Sequence, residues 1–87
     1  MKVEGVIISG EFDDIMNEFS LTKVKQFPTE STLRQNQLKL LYDYLEKHKQ
    51  DEGGQFVTLY DQLPVHLSQG EIYQLLNDLK KVKELYH

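Results

Sequence analysis

The sequence predicts a mainly α protein, a small bundle of about four helices with room for a short N-terminal strand and a helix-turn-helix-like C-terminal half. Two observations lead there. Ser68 and Glu71 have the spacing of a capping box, and Ile72, Leu75, Leu76, Leu79, Val82 and Tyr86 follow at helical intervals. Leu33, Leu38, Leu40, Leu41, Tyr42, Tyr44, Leu45 and His48 give a second, broader apolar face.

The elements follow in chain order. Val3, Val6, Ile7 and Ile8 are β-branched and favour a strand over residues 2–8, weakened by Gly5. Ser9 can cap a helix whose first turn carries Glu11, Asp13 and Asp14. Phe12, Ile15, Met16 and Phe19 stand at i, i+3, i+4 and i+7, so residues 10–19 read as a short amphipathic helix. Residues 20–30, with Pro28, read as a connector. Thr32 with Gln35 fits a capping box for a long central helix that ends near Gln50, before Gly53 and Gly54. Phe56 and Val57 can be extended, and Thr58 can cap a one- to two-turn helix holding Leu59, Tyr60 and Leu63. Pro64 turns the chain, with Val65 and Leu67 tucked beneath the turn, and the last helix covers residues 69–86.

A chain of 87 residues, 39% hydrophobic and with two prolines, is expected to form a single domain over residues 1–87. It has no cysteine, which excludes disulfides and thiolate metal sites and fits a reducing compartment. No apolar run approaches the ~20 residues of a membrane span, and the first residues lack a signal peptide's pattern, so a cytoplasmic protein is expected.

The net charge of -4 is unevenly spread. Residues 1–20 hold one lysine against five acids, residues 21–50 six bases against three acids, and residues 51–87 three lysines against six acids. Nucleic-acid binders carry a basic face, and only the middle segment has a basic excess.

The residues for catalysis are missing. His48, His66 and His87 have no histidine partner at helical ligand spacing, so no metal is expected. Ser9, Ser20, Ser31 and Ser68 stand at or near expected helix starts, where capping accounts for them. The carboxylate pairs Asp13–Asp14 and Asp51–Glu52 lack an apolar surround that would shift a pKa. Gly53 and Gly54 lack the lysine and hydroxyl of a phosphate loop. No enzyme activity and no cofactor are expected.

Leu38, Leu41 and Leu45, then Val57, Leu59, Tyr60 and Leu63, then Leu67, Ser68, Ile72, Leu76 and Leu79 occur in an order of their own. Through them, residues 31–87 resemble the helix-turn-helix part of winged-helix domains, a family of mostly DNA-binding modules. The resemblance implies that helix 69–86 reads DNA, with Gln74 and Asn77 on bases and Lys23, Lys25, Lys80 and Lys81 on phosphates. Residues 69–87 hold three lysines and three acids, Asp78 being placed on the exposed face, so that helix has no net charge.

The leading expectation is therefore a non-enzymatic protein acting through protein–protein interaction or self-association. Five tyrosines and four phenylalanines support it, since aromatics with one wet end are favoured at interfaces. Tyr42 and Tyr73, each just off an apolar stripe, are the candidate partner-binding residues.

Overall fold

The computed structural model describes residues 1–58 and 64–87. It is a mixed α/β architecture, in which 35% of the described residues are helical and 37% lie in strands. The elements are β1 (Lys2–Glu4), β2 (Ile8–Asp13), β3 (Glu18–Val24), β4 (Phe27–Arg34), α1 (Gln35–His48), β5 (Gln55–Val57), β6 (Val65–Leu67) and α2 (Gln69–Lys83). β1 to β4 form an antiparallel meander in sequence order, and β5 and β6 form a separate two-stranded sheet. The two helices cover one face of the meander, and the core lies between these layers.

This overturns the four-helix bundle. The helix expected over residues 10–19 is a β-hairpin in which Phe12 lies directly opposite Phe19. A helix and a hairpin closed by a four-residue loop both bring positions seven apart onto one face, so the apolar spacing fits either. Phe12 and Phe19 are buried, whereas Ile15 is 94% exposed at the hairpin tip. Asp13 holds the tip by accepting from the Ile15 and Met16 amides, and Asn17 completes the turn at φ 54.

The connector is sheet as well. β3 and β4 pair from Val24↔Phe27 at the turn to Glu18↔Arg34, with an irregularity between Leu21 and Lys23. Thr32 is therefore inside β4 and caps nothing. The α1 cap is Arg34, whose amide donates to Gln37 Oε1 at 2.8 Å. The face of α1 is also narrower than expected. Leu38 and Leu45 are buried, Leu41 and Tyr42 half-buried, and Leu40 remains 68% exposed.

The strand expected over residues 2–8 is broken at Gly5, whose amide donates to the Ile8 carbonyl at 2.8 Å to close the β1–β2 turn. Val65 and Leu67, expected beneath a turn, belong to strand β6, which immediately precedes α2. The short helix expected at Leu59, Tyr60 and Leu63 lies outside the described residues. With two helices and a four-stranded antiparallel sheet among the described residues, the fold is neither all-α nor a helical bundle.

The capping box of α2 is present as read. Ser68 Oγ accepts from the Glu71 amide at 3.2 Å, and Glu71 Oε1 accepts from the Ser68 amide at 3.0 Å. Ile72, Leu75, Leu76, Leu79 and Val82 are buried behind it. Tyr86 packs edge-on against Phe12 at 5.0 Å and donates its hydroxyl to the Leu33 carbonyl at 2.6 Å. No helix is long and apolar enough to cross a membrane among the described residues.

Candidate functional site

α1 and α2 pack against each other, and one side of their seam faces solvent. On α1 and its cap, Tyr42, Glu46 and Lys49 are four and three residues apart, so they line one face. Lys49 Nζ pairs with Glu46 Oε2 at 2.9 Å. Across the seam, the Lys83 ammonium stands 4.8 Å from the centre of the Tyr42 ring. Lys80 acts on Glu46, and Tyr73 acts on Lys49. The helices run antiparallel, with Lys83 near the end of α2 over Tyr42 of α1 and Gln69 at the start of α2 beside Lys49. Gln69 Nε2 donates to the Lys49 carbonyl at 3.1 Å and ties the end of α1 to the start of α2.

The electrostatics follow from this order. Loss of solvent around Tyr42 raises its pKa, and the neighbouring Glu46 carboxylate raises it further. The hydrogen bond from Lys49 lowers the Glu46 pKa, and the same bond raises that of Lys49. These directions favour a neutral Tyr42, an ionised Glu46 and a protonated Lys49 near neutral pH. The result is an aromatic ring on α1 beside a charged pair, Glu46 and Lys49, with the Lys83 ammonium over it.

Tyr42 and Tyr73 stand on the two helices that pack together, α1 and α2. Tyr73 is 42% exposed. The residues named for DNA are spread over β3, the β3–β4 turn and α2. Lys25, at the β3–β4 turn, pairs with Glu71 Oε2 at 3.0 Å and donates to the His66 carbonyl at 3.3 Å. Glu71 lies in the first turn of α2, whereas Lys80 and Lys81 lie in its last, about 13–15 Å further along the axis. Lys23 is exposed on β3, and Gln74 and Asn77 are exposed on α2.

Asp78 is the residue that sequence reasoning misplaced. It is 1% exposed rather than on the open face of α2. Its carboxylate accepts from the backbone amides of Val6, Ile7 and Ile8 at 3.0, 2.7 and 3.1 Å. A Cβ on Gly5 would fall 2.4 Å from the Asp78 carboxyl carbon, so glycine makes the approach possible. At 100° per residue Asp78 falls about 40° from Val82, at the edge of the apolar arc of the helix. That position was the available signal.

Of the histidines, His48 pairs with Asp51 at 2.9 Å, and the His66 Nε2 contacts the Gly53 carbonyl at 3.0 Å. Among the described residues no group of three or more His, Asp or Glu could hold a metal ion. The fold and seam define a small two-layer α/β protein with a tyrosine-bearing helical surface. No protein-family model matches the chain, and neither a curated protein nor a solved structure is significantly similar to it.

Proposed function

We propose that this chain is a non-enzymatic interaction protein that binds another protein or a second copy of itself, with Tyr42 and Tyr73 as contact residues. The observation that carries the reading is that these two tyrosines stand on the paired helices α1 and α2, with the Lys83 ammonium 4.8 Å from the centre of the Tyr42 ring and Tyr73 42% exposed. Each offers an apolar ring and a polar end at low entropic cost, the combination enriched at protein interfaces. The flanking Lys80 and Lys83 would make the contact sensitive to salt.

The test compares the wild-type chain with Tyr42→Ala/Tyr73→Ala in cell extract, by cross-linking and quantitative mass spectrometry. The reading expects partners retained by the wild type and lost by the variant, with circular dichroism unchanged. Equal retention by both would remove the tyrosines from the interface.

DNA binding through α2 is the second reading and has less support. Lys25 is engaged by Glu71, which leaves Lys23, Lys80 and Lys81 to meet phosphate. An electrophoretic shift at micromolar protein and about 50 mM salt decides it, since phosphate-driven affinity is strongest at low salt.

A further inference from the structure

Charge is sorted on this molecule in a way that the net value of -4 hides. On the solvent side of the α1–α2 seam, Lys39 stands one turn before Tyr42, Glu46 one turn after it, and Lys49 follows. On α2, Lys80 and Lys83 are three apart, Lys80 acting on Glu46 and Lys83 standing over the Tyr42 ring. The strip thus holds four lysines against one glutamate. Lys49 is taken up by Glu46. Lys39, Lys80 and Lys83 form no ion pair among the described residues. Farther round α1, and round α2 and its cap, Asp43 with Lys47 and Lys81 with Glu84 stand four and three apart and offset each other.

The opposite sign collects at the tip of the β2–β3 hairpin. Glu11, Asp13, Asp14 and Ile15 line a hollow of about 420 Å³ beside Met1. Three carboxylates meet one ammonium there, and that ammonium is bound to the Phe12 carbonyl at 2.9 Å. Glu11 and Asp14 form no ion pair among the described residues, so nothing joins them to the lysine strip within one copy. The tip ends in apolar side chains, with Ile15 94% exposed and Met16 exposed beside it.

We propose that the β2–β3 tip of one copy docks on the lysine strip of a second copy, Glu11 and Asp14 meeting Lys39, Lys80 and Lys83, and Ile15 meeting the Tyr42 ring. This rests on the reading of the chain as an interaction protein, and it names the occupant of the Tyr42 side of the seam. The chain carries both halves of the contact. The hollow has a net charge of -2, three carboxylates against one ammonium, and the strip has +3, four lysines against one glutamate. A long polyanion laid on the strip would also meet the negative surface around it, whereas a hairpin tip meets the strip alone.

The test is sedimentation velocity of the purified chain from roughly 1 µM to 1 mM, a range that spans weak to moderate association. The mass should rise with concentration above 10.2 kDa. Glu11→Lys/Asp14→Lys and Lys80→Glu/Lys83→Glu should each weaken association by roughly tenfold or more, with native circular dichroism. The four substitutions combined in one chain return opposite signs to the contact at an unchanged net charge, so association should recover. Where the glutamates disturb the last turn of α2, Lys80→Gln/Lys83→Gln gives the loss. Its equal mixture with Glu11→Lys/Asp14→Lys then gives the recovery, since the intact tip of one chain meets the intact strip of the other. The proposal is overturned by a monomer at every concentration, by association that either reversal leaves intact, or by a folded combined chain that does not recover it. A monomeric pure chain whose extract partners are still lost in Tyr42→Ala/Tyr73→Ala would end this pairing and leave the tyrosine reading standing.

Discussion

Asp78 is held by its hydrogen bonds in an otherwise apolar stretch of α2. Removing its carboxylate would leave the Val6, Ile7 and Ile8 amides unpaired, two of them in buried bonds. Asp78→Ala should therefore destabilise the protein by about 3 kcal/mol or more, read as a lower urea midpoint. Gly5→Ala should also destabilise it, because the added methyl meets that carboxylate. Tyr86 gives a prediction at the alkaline end. Burial raises its pKa from 10.0 to about 12. The folded state thus keeps the proton that the unfolded chain releases first. Its contribution is fully present below pH 10 and is lost as pH rises toward about 12. Tyr86→Phe should flatten that loss in melts across this window, while lowering neutral-pH stability through loss of the bond to the Leu33 carbonyl.

At the scale of elements, α2 was legible because its signals are local. A serine, a glutamate three residues on and an apolar stripe are enough to define it. Ser68→Ala should cost about 1 kcal/mol by freeing the Glu71 amide. The Ser68 amide and Lys25 hold the Glu71 carboxyl below its usual pKa of 4.5. Its contribution is present above that value and is lost as pH falls through the lowered one. Acid titration of Glu71→Gln should therefore show a shallower stability decline below pH 4.5 than the wild type. The strands were much less legible. β4 buries only Leu33, and Thr29, Glu30, Ser31 and Thr32 look like a connector when pairing partners are unknown. Phe12 and Phe19 meet across a hairpin yet match a helical interval. A period of 3.6 and a cross-strand register can coincide over eight residues, and only the partner strand separates them. Tyr42 and Tyr73 could be named as residues off the apolar stripes, but where they stand relative to each other depends on how α1 and α2 are docked.

For the whole molecule, the meander supplies one layer and the helix pair the other, so neither buries its apolar face alone. Far-ultraviolet circular dichroism should accordingly show about one third helix with substantial strand, rather than the helix-dominated spectrum of a bundle. The Asp78 contacts reach from α2 back to Val6, 72 positions earlier. That span has a consequence for synthesis. On the ribosome, β1 to β4 emerge first, while the helix that seals them is still unmade. The carboxylate that fixes the first turn arrives only with α2, so the native arrangement becomes available only once that helix is made. Until then α2 cannot cover the apolar face of the meander, and the nascent sheet depends on the time the helix takes to appear.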